Sequence, residues 1–534
     1  MTATIQTFLL LLAVLVVVAL VAQRLRTAPS ILLVIAGIAL ALFPGLPRFE
    51  LAPEFVLLVI LPPLIYSAGV SMSWREFRFN LRPITLLAVG CVVFTTCAVA
   101  AGVHYLLGWQ WGVAFVLGAI VAPPDVLAPL AIARRLGLPR RIVVILEGEG
   151  LANDATALIL YRFAVAAVVT GMFSLPQAAG TFALIVVGEI AWGIAVGWLS
   201  LRLRQWAHNP RIEITMSLMT PYLAYWIPEH LGGSGVLATV AAGLYVSWNG
   251  PLLIPAATRL QGIFFWDLII YLIEGFVFLL TGLQARTLID KVQSFSLREL
   301  AVAVALTTLI CIAARFIWMY PATYLPRWLS ASLRERDPSP PWQYPFILAF
   351  TGVRGVVSLA AALAIPLTIA SGAPFPQRDL ILFVAFGVII ITLVVQGLML
   401  PSVIRWLGLA DSVSEERRRE QAEEFAARAN ALEAARQHLE RLAAERDLPD
   451  EAVELLHARH HQRLRQLPNH TEDGLAFTRL NVDLRLELIA AEREFLYQLL
   501  RDGKLTDESR RRIERELDLE EESAACRKAG EAPL

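Results

Sequence analysis

Leu146-Glu147-Gly148-Glu149-Gly150-Leu151-Ala152-Asn153-Asp154-Ala155-Thr156-Ala157 places three carboxyl groups inside a run that reads as a membrane crossing. Its flanks are apolar, Ile142-Val143-Val144-Ile145 before it and Leu158-Ile159-Leu160 after it. At about 1.5 Å of rise per residue, Asp154 lies roughly 20 Å along a helix that starts at Arg141. A hydrocarbon layer is about 30 Å thick, so this carboxylate falls near its centre. An ionisable group at that depth costs at least about 2.5–3.5 kcal/mol and is read by default as functional.

Helical phase divides the charges. Glu149 and Asn153, four apart, share one stripe, while Glu147, Gly150 and Asp154 share another. Two stripes allow two jobs: one carboxylate locked in a structural pair, and Asp154 facing a hydrated cavity. Burial favours the protonated form of a carboxyl. Such a group can release a proton when it takes a cation, which is the chemistry of an exchanger. The bland alternative is that all these carboxylates are satisfied structural groups.

Composition agrees with a membrane protein. The chain is 57% hydrophobic and 17% charged, with a net charge of zero. A nucleic-acid partner is therefore not expected. Of the four cysteines, Cys91, Cys97 and Cys311 sit in apolar spans and read as buried, inert thiols, and Cys526 lies in the polar tail. The N-terminus reads as a retained helix, since Phe8–Ala22 runs on without a basic leader or a small-residue cleavage pattern.

Apolar segments of spanning length recur at 5–23, 28–46, 51–69, 83–107, 110–133, 141–169, 176–201, 212–228, 233–249, 260–285, 298–325, 343–370 and 379–405, thirteen in all. Alternate loops hold Arg24/Arg26, Arg75/Arg78/Arg82, Arg134/Arg135/Arg140/Arg141, Arg202/Arg204/Arg211, Arg259 and Arg327/Arg334/Arg336. The other loops hold only Arg48, Arg286, Lys291, Arg298 and Arg378. The arginine-rich set is expected in the cytoplasm, which puts the N-terminus outside and the C-terminus inside. An odd number of crossings requires the same placement.

Residues 1–410 are thus expected to form a transmembrane domain, and 411–534 a cytoplasmic helical tail. Helical patterns cover 414–447, 450–465, 474–502 and 506–523, broken by Pro449, Pro468 and Gly503. Phe425, Leu432, Ala435, Leu439 and Leu442 approach a heptad seam that Arg428 interrupts. His457, His460 and His461 are spaced to offer two imidazoles to a metal, but a polar helix face explains them as well.

Two predicted spans look interrupted. Ala122-Pro123-Pro124-Asp125-Val126-Leu127-Ala128-Pro129 cannot be a continuous helix. In Thr351-Gly352-Val353-Arg354-Gly355-Val356 the glycines permit unwound backbone. Broken helices are tolerated at membrane depth where protein or a cavity encloses them, and transporters place ion sites there. Asp125 could neutralise positive half-helix N-termini, and Arg354 negative C-termini. The interrupted segments are the fifth and twelfth of thirteen, so they run in opposite directions. That fits two inverted six-helix repeats, with discontinuous crossed helices and the seventh helix as connector.

Arg315 is a further basic residue deep in an apolar span, with Glu149 as its natural counter-ion. Glu274 and Glu189 are intramembrane carboxylates that either line an ion route or hold neighbouring helices. Arg162 and Asp267 lie nearer span ends and read as snorkelling or interfacial.

These residues resemble the first family of monovalent cation/proton antiporters, in its bacterial form with a long hydrophilic tail. The carrying motifs are Leu61-Pro62-Pro63-Leu64-Ile65-Tyr66, Pro123-Pro124-Asp125, Glu149-Gly150-Leu151-Ala152-Asn153-Asp154, Gly282-Leu283-Gln284, Arg315 and Gly352-Val353-Arg354-Gly355. The resemblance implies that Asp154 binds ion and proton, with Asn153 as its partner in an Asn-Asp pair associated with electroneutral exchange. It implies a Glu149–Arg315 charge pair, Asp125 and Arg354 at the helix crossing, and a homodimer whose core domain slides against a dimerisation domain. Two departures stand out. Gly150 replaces a serine that some relatives carry, and Tyr66-Ser67 replaces an acid, leaving the Ser67 hydroxyl as a cation ligand without charge.

The expected fold class is therefore an all-α polytopic membrane protein with a soluble helical tail. The expected function is Na+/H+ antiport across the plasma membrane by alternating access, with Na+ (or K+, Li+) and H+ as substrates. The ion-binding candidates are Asp154, Asn153, Asp125 and Ser67, with Glu147 and Glu274 along the route. No phosphate-binding loop appears and no cofactor is expected. K+/H+ exchange uses the same residues. Channel, membrane protease (an Asp125–Asp154 pair) and non-transporting sensor are the rival classes.

Overall fold

A computed structural model describes residues 2–25, 27–43, 51–446, 449–465, 472–502 and 504–531. Arg26, Arg48, Pro468, Gly503, the last three residues of the predicted 28–46 span and the side chain of Cys526 lie outside the described residues. The fold is all-helical, with no strand among the described residues and a lone bridge between Thr368 and Pro374. The chain divides into two units, Met1–Ala410 and Asp411–Leu534.

In the first unit the helices are α1 (Thr2–Leu25), α2 (Pro29–Ala41), α3 (Pro53–Ser71), α4 (Trp74–Phe79), α5 (Leu81–Leu107), α6 (Trp111–Val121), α7 (Leu127–Arg135) and α8 (Arg140–Thr170). They continue as α9 (Leu175–Ala207), α10 (Pro210–His230), α11 (Val236–Leu253), α12 (Ala256–Lys291), α13 (Leu297–Leu329), α14 (Ala331–Arg336), α15 (Gln343–Phe350), α16 (Val356–Leu363) and α17 (Arg378–Trp406). Nine described helices are long and apolar enough to cross a bilayer unaided, rather than thirteen. The remaining predicted crossings are short (α2), broken (α6/α7 and α15/α16) or more polar (α10, with Arg211, Glu213 and Glu229). Such elements are spanning only in company, because neighbours must cover their free backbone groups.

Several long helices carry a wide π-type turn, at Val56–Ile60 in α3, Leu86–Cys91 in α5 and Ile391–Gln396 in α17. The α3 turn directly precedes Pro62-Pro63, which cannot donate hydrogen bonds to the preceding turn. A continuous buried core joins α2, α5, α6, α8, α13 and α17, whereas apolar side chains such as Leu184 on α9 and Leu309 on α13 face outward. Cys91 and Cys311 are buried, but Cys97 is exposed on the outer face of α5, so its expected burial does not hold. An apolar thiol is as acceptable to lipid as to a core, and hydropathy does not separate the two.

Helix α18 (Leu409–Arg446) begins at the end of the first unit and lies mostly in the second, which also contains α19 (Asp450–Arg465), α20 (Glu472–Arg501) and α21 (Asp507–Glu531). Helices α20 and α21 pair through Ile489, Leu496 and Leu517, with Leu505 packed alongside. Arg493 bonds Asp518 at 2.6 Å across the same pair. On α18 the residue that interrupts the heptad seam, Arg428, pairs with Glu424. His457, His460 and His461 lie on α19, and among the described residues no cluster of three metal-ligating side chains forms.

Candidate functional site

Helix α6 ends at Val121 because Pro123 and Pro124 have no backbone donor to offer it. Helix α7 restarts at Leu127, where Pro129 falls in the first turn and no donor is missed. The Asp125 carboxylate accepts the Leu127 N–H at 2.9 Å. Its own N–H donates to Val353 O at 2.6 Å, which ties this interruption to the second one. There α15 stops at Phe350 and α16 begins at Val356. A Cβ on Gly355 would lie 1.7 Å from Asp125 Oδ2, so only glycine fits. Asp125 thus sits against the N-terminal ends of both α7 and α16, whose unpaired N–H groups carry partial positive charge.

The arginines take the opposite ends. Arg354 Nε donates to Val121 O, the last residue of α6, at 2.8 Å, and its Nη1 donates to Gly352 O. Its backbone N–H donates to Thr392 Oγ1 at 3.0 Å. Arg315 Nε and Nη2 both donate to Leu348 O in the last turn of α15, at 3.0 and 2.8 Å. The same guanidinium forks onto Glu149, Nη1 to Oε1 at 2.5 Å and Nη2 to Oε2 at 2.8 Å. Both partners are buried. A cation therefore closes each half-helix C-terminus and a carboxylate each N-terminus, the polarity the backbone dipoles favour.

Continuous helix α8 passes this crossing. Asn153 Nδ2 donates to Pro124 O at 2.7 Å, while its Oδ1 is buried with no partner. Asp154 follows it, half-buried, and its carboxylate has no hydrogen bond or ion pair among the described residues. It lies within electrostatic reach of Asp125, as Asp125 does of Glu274 on α12. Asp154, Asn153, Asp125 and Glu274 are thus brought to one region. A Cβ on Gly150 would meet Val126 Cγ2 at 2.3 Å, so the interrupted loop packs directly against this glycine.

Other candidates stand elsewhere. Glu147 is ion-paired with Arg134 at 2.6 Å. Ser67 lines a separate cavity that neither Asp154 nor Asp125 lines. Glu189 accepts from the N–H groups of Ser234, Gly235 and Leu237, which closes the N-terminus of α11. Arg162, read as snorkelling, instead pairs with Glu229 of α10. Sequence reasoning missed Glu229, and it missed the burial of Arg204 and Glu213. Arg204 counted as a loop charge only because hydropathy ends the span before it, at residue 201.

Known proteins resemble this chain in sequence and fold. A family model described as the transmembrane sodium/hydrogen exchanger matches residues 10–406. A Mycobacterium tuberculosis protein described as an uncharacterized Na+/H+ exchanger is 34% identical over 521 residues, covering 96% of this chain and 94% of that one. A sodium, potassium, lithium and rubidium/H+ antiporter of Bacillus pumilus is 34% identical over 68% of this chain and 56% of its own length. The sodium proton antiporter MjNhaP1 of Methanocaldococcus jannaschii shares the fold, with a TM-score of 0.60 at 17% identity over 77% of this chain and 98% of that one. With the family model over its whole membrane part and a relative one-third identical along nearly its full length, this chain belongs to the sodium/hydrogen exchanger family.

Proposed function

We propose that this chain exchanges Na+ for H+ at Asp154. One observation carries the reading: Asp154 is left without a partner at a crossing where the neighbouring charges, Glu149, Arg315, Arg354 and Asp125, are each bonded. A carboxylate free of protein partners in a low-dielectric site binds either a sodium ion or a proton, and the two exclude each other. The unpartnered Asn153 Oδ1 supplies a second oxygen to the cation, and Asp125 a neighbouring negative charge. Hard monovalent cations take oxygen ligands of this kind. One carboxylate shuttling one cation one way and one proton the other makes the exchange electroneutral. The proton gradient then drives Na+ movement without a nucleotide.

The half-helix ends held by Asp125, Arg354 and Arg315 form a stiff frame that moves as a unit past its surroundings, giving alternating access. We place the arginine-rich loops and the helical tail in the cytoplasm of a plasma-membrane homodimer, with residues 1–410 as the transporting domain. Sodium stands in the family description and in each relative's name, and potassium only beside sodium in the Bacillus protein, so K+/H+ exchange is not favoured.

The test is reconstitution into liposomes with an internal pH dye and an imposed pH gradient. Na+, Li+ and K+ are added in turn to the wild type and to Asp154→Asn. Na+-dependent collapse of the gradient that vanishes in the variant is expected. A wild type blind to all three cations, or a variant that responds equally, would overturn the assignment.

A further inference from the structure

A cavity of about 410 Å³ lies between α3, α9, α10, α11 and α12, apart from the Asp154 crossing. Two charged side chains in its wall are almost fully buried, Arg204 at 6% exposure and Glu213 at 2%. Arg204 Nη2 donates to the Tyr66 hydroxyl at 3.2 Å, but its Nε is buried without a partner. Glu213 Oε2 is likewise buried without a partner. The two do not pair with each other, although they line the same space. Leaving one buried charge unpaired is costly, and leaving both of a complementary couple apart points to something that reaches each.

The sign pattern repeats at the rim, where Arg259 and Asp267 on α12 are exposed. Two basic and two acidic side chains make a neutral wall, which suits neither a simple anion nor a simple cation. It suits a zwitterion with its anionic group on Arg204 and a protonated amine on Glu213. Between these polar points the wall is apolar, with Val70, Val246, Ile254 and Trp266. Ile263 belongs to the wall and is also 62% exposed, and Leu260 and Phe264 continue that outward apolar face. The mouth therefore gives onto the surface that meets lipid.

Arg204 lies in the last turn of α9 and Glu213 in the first turn of α10. Helix ends of membrane spans stand at headgroup depth.

We propose that this cavity is a binding site for a phospholipid whose headgroup carries both a phosphate and a primary ammonium. Phosphate meets the Arg204 guanidinium, ammonium meets the Glu213 carboxylate, and an acyl chain runs along the α11–α12 wall past Trp266. The site is independent of the ion-exchange reading.

The test uses purified full-length protein in detergent with phosphatidylethanolamine, phosphatidylcholine and phosphatidylglycerol added separately, and bound lipid counted by native mass spectrometry. Phosphatidylethanolamine is expected to be retained roughly tenfold better than the other two, the margin of one charge-assisted hydrogen bond. Glu213→Gln should erase the preference over phosphatidylcholine, and Arg204→Gln should weaken retention of all three. Phosphatidylethanolamine with brominated acyl chains should quench tryptophan fluorescence less in Trp266→Phe than in the wild type.

Equal retention of the three lipids by the wild type would overturn the proposal, and that result needs no variant to fold. So would variants that keep the preference, or quenching unchanged in Trp266→Phe. Glycerophosphoethanolamine competing as well as the intact lipid would assign the cavity to a soluble zwitterion. Retention by monomers only would assign it to a second copy of the chain. Either result would sink the lipid site.

Discussion

Replacing Glu149 with Gln tests the frame on which the proposed ion site hangs. The wild-type guanidinium of Arg315 is bonded twice to Glu149 and twice to Leu348 O, in a setting where Arg315 is 1% exposed. Glutamine keeps the shape and one acceptor but removes the counter-charge. Arginine cannot escape by losing its proton. Removing one partner of a buried pair costs about 3–5 kcal/mol, against a total stability of about 5–15 kcal/mol. Glu149→Gln should therefore lower the thermal midpoint sharply in detergent, read by the fraction that remains monodisperse after heating.

The double variant Glu149→Leu/Arg315→Met separates the pair from its surroundings. It removes both charges, and apolar replacements of similar volume are often neutral or better. Leu348 O then loses both guanidinium donors and keeps only the Thr351 hydroxyl at 3.1 Å, so the cost is about 1 kcal/mol, that of an ordinary hydrogen bond. The double variant should accordingly be more stable than Glu149→Gln, yet transport poorly, because the α15 end is no longer held. If Glu149→Gln melts within about 1 kcal/mol of wild type, the size of a typical mutation, the pair does not carry the frame and the reasoning fails.

Gly355→Ala puts a methyl group 1.7 Å from Asp125 Oδ2, so the crossing must open. Na+-dependent proton flux should fall while the protein still folds as a monodisperse species, and unchanged flux would refute the contact. Ser67→Ala should leave apparent Na+ affinity unchanged, since Ser67 lines a cavity apart from Asp154; a weakened affinity in the flux assay would place Ser67 at the ion. Asp337, in the loop between α14 and α15, bonds Arg82, Arg141 and Arg327 at 2.6, 2.7 and 2.8 Å. Burial pushes its carboxyl up, but the guanidiniums of Arg141, Arg327 and Arg82 outweigh it and hold it below the usual carboxylate range. A depressed folded value stabilises the protein above the unfolded value of about 3.9 and is lost as pH falls through the lower one. The melting gap between wild type and Asp337→Asn should be constant near neutrality and close in acid. A gap that widens as pH falls would show the sign to be wrong.

The helical segments and the two breaks were legible because each has a local cause. Spanning length comes from apolar runs, and the α6–α7 break from prolines that cannot donate. Glu149 and Arg315 were legible as partners because a lone charge at that depth needs one. What sequence could not give was the geometry that turns loop charges into structure. Arg82, Arg141, Arg204 and Arg327 all counted as basic loop residues, yet three converge on Asp337 and the fourth lies buried against Tyr66. Glu229 was invisible for the same reason: its partner Arg162 is 67 residues away and looked free to reach the interface. Burial of a charge near a span end depends on which helix passes beside it, and hydropathy along one chain does not contain that.

Asp154 differs from Glu149 by five positions on one helix, and that offset separates two fates. Glu149 is held by a guanidinium through both oxygens, so a sodium ion arriving there would have to displace charge-assisted hydrogen bonds already made. Asp154 has no such bond to lose, and next to it stands an amide oxygen with no partner of its own. A carrier must bind its cargo and also give it up, which requires a site that the protein leaves incompletely satisfied. The stable partners around the crossing make this possible. Because Asp125, Arg354 and Arg315 neutralise the four helix ends between them, the exchange proposed at Asp154 would change that residue's ligand without unmaking the fold.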